Sequence, residues 1–112
     1  MLHEQATLLA KAARVDAEQD LWQALARFEF ARESLAIAQT SLLEPALKAA
    51  QFTEEARMLG SATELDLMRA QADELAVQQK MMAMRLEFAL AASALERTLG
   101  RPLLPAEPPT DS

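Results

Sequence analysis

Cysteine and tyrosine are absent from the sequence, which also holds a single histidine and only two glycines. Without cysteine there can be no disulfide, thiolate zinc site or cysteine nucleophile. Scarce glycine, 4% aromatic residues and many alanines argue against a sheet protein and favour long, closely packed helices. An apolar fraction of 51% in 112 residues is enough for one hydrophobic core. We therefore predict an all-α protein of one domain.

The charge pattern offers no surface for an anionic partner. The 11 basic residues are scattered among 17 acidic ones, which gives a net charge of −6. No nucleic-acid partner is expected, because such proteins carry clustered basic residues. The first twenty residues are interrupted by acids and bases, so no signal peptide is predicted. No apolar stretch approaches the ~20 residues of a membrane span, so we expect a soluble chain without direct membrane insertion.

A seven-residue spacing runs from about residue 4 to residue 59 and predicts a first long helix. Large residues dominate one row and alanines the other, which lets a neighbouring helix approach closely. This pattern predicts a coiled coil with a partner helix of similar length. The first row is Leu21, Phe28, Leu35, Leu42, Ala49 and Ala56, and the second is Ala24, Ala31, Ala38, Pro45, Phe52 and Leu59.

Pro45 interrupts this helix, because an interior proline lacks a backbone donor and crowds the preceding turn. Either the helix bends and continues, or it breaks near Glu44 and the chain forms three helices. We favour a kink, since the heptad phase is the same on both sides of Pro45 and no loop residues surround it.

A second helix is predicted over residues 63–99, and it carries apolar residues on two flanks. A helix with two such flanks has neighbours on both sides, as in a bundle or a ring of helices. We therefore predict self-association, as a dimer that forms an antiparallel bundle, for which opening and exchange of hairpins is one route. One flank comprises Leu67, Ala70, Glu74, Val77, Met81, Met84, Phe88, Ala91 and Leu95; the other comprises Leu65, Met68, Ala72, Leu75, Gln79, Met82, Leu86 and Ala89.

Residues 60–62 are predicted to form the tip of a helical hairpin. Gly60 can adopt the left-handed conformation that ends a helix. Thr63 can cap the second helix, with Asp66 as the reciprocal acid three residues later. Ser61 with Glu64 offers a second capping register, in which the helix starts two residues earlier.

No constellation of residues indicates catalysis, and we predict neither an enzyme nor a catalytic, metal or cofactor-binding site. His3 is the only histidine, and paired acids such as Glu29 with Glu33, or Asp73 with Glu74, are typical of solvated helix faces. The methionines suggest a soft-metal site, but their seam positions favour packing. Those considered are Met58, Met68, Met81, Met82 and Met84.

Two further segments have simple interpretations. Trp22, Phe28 and Phe30 are interpreted as buried against the second helix or another chain; the alternative is a partner-binding surface formed by Trp22 and Phe30. Residues 101–112 contain four prolines without periodicity, which predicts a disordered tail.

Three stretches taken in order resemble one protein family. GSATELDLMRA (residues 60–70) and ALERTLG (94–100) are similar to the C-terminal hairpin of TolC-type outer-membrane efflux proteins. LLEPALKAA (42–50) resembles a proline-containing stretch of their heavy-metal-exporter branch. The resemblance covers roughly residues 15–104, and the order and spacing of the three stretches carry it.

The resemblance implies a periplasmic part of a cell outer-membrane protein. Full-length members are trimers whose helical hairpins close into a periplasmic α-barrel, and the hairpin tips dock on a periplasmic adaptor protein. By this resemblance the adaptor-contact residues are Leu59, Gly60, Ser61, Ala62 and Thr63. The chain is expected to be a fragment, because the first repeat and the barrel strands are missing. The alternatives are a stand-alone oligomerising scaffold or regulator, and the hairpin of an adaptor protein.

Overall fold

The computed structural model describes residues 2–100, and all their regular structure is helical. Helix α1 (Leu2–Ala38) leads into a π-helical turn (Gln39–Leu43) and helix α2 (Glu44–Met58), and helix α3 (Glu64–Leu99) follows a short turn. Residues 2–100 contain no strand, which confirms the all-α prediction. The predicted tail, residues 101–112, lies outside the described residues.

The described chain forms two compact units. The hairpin unit spans residues 31–88, and the end unit combines residues of α1 up to Phe30 with those of α3 from Ala89. In the hairpin unit, Ala38, Ala50, Leu67 and Met81 are buried. These residues belong to α1, α2 and α3, so the helices of the hairpin share one narrow apolar seam.

The end unit has a smaller core, formed around the last turns of α3. Ala91 and Leu95 are buried there. A shallow groove is lined by Ala17 and Asp20 of α1 and by Ala94, Arg97 and Thr98 of α3. Residues 2–20 are all exposed.

The two predicted flanks of α3 differ sharply in burial. The first, which we name the inner row, is buried or half-buried throughout: Leu67, Ala70, Glu74, Val77, Met81, Met84, Phe88, Ala91 and Leu95. The second, the α3 outer row, is exposed throughout: Leu65, Met68, Ala72, Leu75, Gln79, Met82, Leu86 and Ala89. The described residues therefore cover only one of the two flanks.

The π-helical turn changes the phase of the first helical stretch by one residue. Up to Ala38 the predicted rows face inward. Beyond the turn, each inward position falls one residue later than the heptad pattern predicts, so Ala50 is buried at 9% exposure while Phe52 is 73% exposed. The inward residues from the end of the π-helical turn through α2 are Leu43, Ala46, Ala50, Thr53 and Arg57, with Ala56 also half-buried.

Proline chemistry explains where the turn lies. Pro45 has no N–H to donate to the carbonyl of Ser41, and in an α-helix its ring would crowd that carbonyl. Immediately before it the Glu44 N–H bonds to the Gln39 carbonyl, one residue further back than in an α-helix. The wider turn accommodates Pro45 and inserts one extra residue, which rotates the following helix by about 100°.

The favoured interpretation, a helix that continues past Pro45, is confirmed and the alternative break near Glu44 is not, because residues 2–58 contain no non-helical position. One expectation about this stretch is wrong. The heptad phase is not the same on both sides of Pro45, so the predicted seam fails beyond Ala38. The predicted seam residues that now face outward form the α2 outer row: Leu42, Pro45, Ala49, Phe52 and Leu59.

The aromatic residues of α1 also depart from the preferred interpretation. Trp22 and Phe30 are exposed, whereas Phe28, which lies on the predicted seam, is half-buried. Burial of Trp22 and Phe30 against the second helix is therefore wrong, because both side chains lie off the seam that faces α3. A contact between these two rings and another chain remains a prediction.

Candidate functional site: the hairpin tip

The end of α2 closes with a left-handed glycine. The Gly60 N–H bonds to the Arg57 carbonyl at 3.0 Å, and the Ser61 N–H bonds to the Ala56 carbonyl at 2.7 Å. This pair of bonds is a Schellman motif, which requires a positive φ at the glycine, here 82°. A Cβ added to Gly60 would meet no atom within 4 Å, so only the backbone conformation favours glycine at this position.

The start of α3 is held by a reciprocal cap. The Thr63 N–H bonds to Asp66 Oδ2 at 2.9 Å, and the Asp66 N–H bonds to Thr63 Oγ1 at 3.1 Å. Helix α3 begins at Glu64, so the chain uses the Thr63 capping register and not the one that starts at Ser61. Two capping motifs thus fix both sides of a turn only a few residues long.

Arg57 joins the two helices beside the turn. Its Nη1 lies 3.5 Å from Glu64 Oε2 of α3, and its Nη2 lies 3.7 Å from Glu54 Oε1 of α2. Its Nε is buried and has no hydrogen-bond partner among residues 2–100. The sequence reasoning missed this role, although Glu54 and Arg57 have the spacing of an ion pair on one helix face.

The turn brings together all five predicted adaptor-contact residues. Leu59, Gly60, Ser61 and Thr63 are exposed, whereas Ala62 is half-buried. Met58 is also exposed and, with Leu59 and Glu55, lines a shallow depression beside the turn. The tip therefore presents a rigid backbone with an apolar patch, a combination suited to binding a protein surface.

The cap also shifts the pKa of Asp66, the acid that takes part in it. The pKa of Asp66 is lowered from its ordinary value of 3.8, first by the hydrogen bond from the Thr63 backbone and then by the bond with the Thr63 side chain. Both bonds favour the charged carboxylate. The cap therefore contributes stability above pH 3.8 and loses it as the pH falls through the lower pKa of the folded state.

We expect Asp66→Asn to remove this part of the acid sensitivity. Asparagine can still accept a hydrogen bond but does not titrate, so its cap does not respond to pH. The measurement is urea unfolding followed by circular dichroism between about pH 5 and pH 2. The difference in the free energy of unfolding between wild type and Asp66→Asn should shrink as the pH falls. A difference that stays constant with pH would contradict the role of Asp66 in the acid sensitivity.

The remaining surface of the hairpin unit includes an open groove and exposed methionines. An open groove between α2 and α3 is lined by Leu47, Ala50, Gln51, Glu54, Glu55, Gln71 and Glu74. Among residues 2–100 no three His, Cys, Asp or Glu side chains converge to hold a metal ion. Met81 and Met84 lie on the inner row, where they pack, whereas Met58, Met68 and Met82 are exposed.

Comparison with protein families, curated proteins and solved structures yields no match to this chain. No helix within residues 2–100 combines the length and apolarity needed to cross a bilayer.

Proposed function

We propose that this chain is a structural hairpin of an outer-membrane efflux conduit, whose tip docks on the periplasmic adaptor of a tripartite export pump. The observation that carries the proposal is the presence of two apolar rows on different sides of one hairpin. A closed ring of hairpins needs this arrangement, because every member must contact a neighbour on each side.

The position of the open groove shows on which side of the hairpin each outer row lies. On α3, Met82 of the outer row lines a second depression beside Gln78 and Arg85, and this depression shares Leu47 of α2 with the open groove. On α2, Gln51 lines the open groove, whereas Ala49 of the outer row lies about 200° around the helix from Gln51. The α3 outer row therefore leans toward the groove and the α2 outer row leans away from it.

The construction of the tip supports the docking part of the proposal. Short capping bonds hold the turn before any partner arrives, so little conformational entropy is lost on binding. Leu59 is 83% exposed and offers an apolar anchor beside Gly60 and Ser61, which leave room for another chain to approach. This location matches the adaptor-contact residues implied by the family resemblance.

Photocrosslinking can test docking at single positions, because the chain has no cysteine of its own. A benzophenone maleimide is attached after Ser61→Cys, with Lys80→Cys as the control on an exposed face away from both outer rows. The probes are purified helical hairpins of periplasmic adaptors from heavy-metal and drug exporters. We expect adducts from position 61 that excess unlabelled chain suppresses, and none from position 80.

The outcome that would overturn docking is the absence of a position-61 adduct with every adaptor hairpin, or equal adducts from both positions. The second candidate function, a stand-alone oligomerising scaffold, is favoured by the completeness of the α3 outer row, in which Gln79 is the only polar residue. A chain that self-associates yet gives no tip adduct would support the scaffold.

A further inference from the structure

The π-helical turn leaves α2 with two alternative inward faces, one residue apart. The face that packs inward includes Ala46, Ala50, Thr53 and Arg57, whereas the outward row carries Phe52 and Leu59. Apolar burial alone favours the opposite choice, because large apolar side chains gain more from leaving water than alanine or threonine. Some other feature must hold α2 in the observed register.

The backbone geometry around Pro45 is the first feature that holds α2 in the observed register. In a continuous α-helix Pro45 would occupy the seam and crowd the Ser41 carbonyl, while the π-helical turn avoids this and leaves Pro45 exposed. Turns of this kind insert one residue into a helix without ending it. Proline thus opposes the register that apolar burial favours.

The ion pair at the tip supplies the second feature. Arg57 reaches Glu64 across the turn only because its side chain lies on the inward face of α2. A rotation of about 100° would carry Arg57 away from α3 and bring the Leu59 side inward. The pair therefore stabilises the observed register at the end of α2 opposite to the π-helical turn.

The alternative face lies at the same level of the hairpin as the observed one. Phe52 is exposed and lies half a turn from the buried Ala50, so rotation of α2 by about 100° would move its ring toward the seam.

We propose that Glu44–Met58 is a two-register element. In the observed register the π-helical turn and the Arg57–Glu64 pair hold Phe52 and Leu59 outward; in the other, the turn rewinds to α-helix and these side chains pack against α3 of the same chain. The change exposes or withdraws the α2 outer row and alters the tip, so the two surfaces are coupled. This inference does not depend on the proposed efflux function.

Thiol labelling at neighbouring positions reads the register directly. Ala49→Cys and Ala50→Cys are prepared as separate variants, since the first site is exposed and the second is buried. In the otherwise wild-type chain, at concentrations where it is monomeric, a maleimide should react much faster at position 49. Pro45→Ala restores the missing N–H donor and is expected to lower the ratio of the two rates roughly tenfold, because protection follows the population of the open register.

Deletion of Thr40 is the matched control. It removes one residue from the π-helical turn, so a plain α-helix reaches α2 in the observed register and the wild-type rate pattern should persist. Glu64→Gln removes the ion pair without touching the helix interior and should shift the ratio in the same direction as Pro45→Ala, by a smaller factor.

Circular dichroism confirms that each variant remains helical before its rates are compared. Unchanged rates in both Pro45→Ala and Glu64→Gln would overturn the proposal. Preferential protection of position 49 in the Thr40 deletion would also overturn it, because the phase would then not depend on the extra residue.

Discussion

Replacing Leu75 and Met82 together by glutamate is expected to prevent the self-association that we predict for the wild-type chain. Both side chains belong to the α3 outer row, which is exposed from Leu65 to Ala89 in the hairpin. Each large apolar side chain that leaves water contributes roughly 1.5–3 kcal/mol, and a glutamate in its place must be desolvated or kept out of the interface. The association constant should therefore fall at least about a hundredfold.

Light scattering coupled to size exclusion measures the effect, with sedimentation equilibrium to obtain the constant. Lys80→Glu is the matched control, since it changes the net charge by the same two units on an exposed face outside both rows of α3. The control should retain the wild-type oligomer. A wild type that stays monomeric at high concentration, or a double variant that associates as wild type does, would contradict the role of the outer row.

The tip was predictable because its chemistry is local. Gly60, Thr63 and Asp66 lie within seven residues, and the hydrogen bonds that they make depend on sequence spacing more than on distant packing. The inner row of α3 was predictable for a related reason, since no proline or glycine interrupts its spacing from Leu67 to Leu95. In both cases local preference and tertiary packing agree.

The register of α2 was not predictable from the heptad pattern alone. Apolar residues occur in adjacent pairs there, Leu42 with Leu43 and Ala49 with Ala50, so two phases fit the sequence. Pro45 was correctly identified as the disturbance, but an extra residue in the helix was not weighed beside a bend or a break. The extra residue matters because the register of α2 decides whether Phe52 lies in the seam or in solvent.

Arg57 occupies a seam position that a search for periodic apolar residues does not detect. Its side chain is half-buried at a seam position, while its guanidinium reaches Glu54 and Glu64. A pattern search treats arginine as a surface residue and therefore assigns the seam to neighbouring apolar positions. The same ion pair is modest in energy, since both glutamates are largely exposed.

Because the core of the hairpin is narrow, truncation of one buried side chain is expected to lower the stability of the hairpin strongly. Met81 is the most deeply buried large residue of the described chain, at 1% exposure, whereas its neighbour Met82 is 67% exposed. We expect Met81→Ala to destabilise the hairpin by about 2–5 kcal/mol through lost burial and the cavity left behind. Met82→Ala should change the stability of the monomer by no more than about 0.5 kcal/mol.

Urea unfolding of the two variants at several protein concentrations separates packing within the chain from packing between chains. The cost of Met81→Ala should persist at the lowest concentration, because its contacts lie inside one hairpin. Any cost of Met82→Ala should disappear on dilution, since that side chain would gain partners only in the predicted oligomer. Equal costs for the two methionines in the dilute limit would mean that both flanks of α3 are covered within one chain, and the outer row would then no longer be available to a second copy.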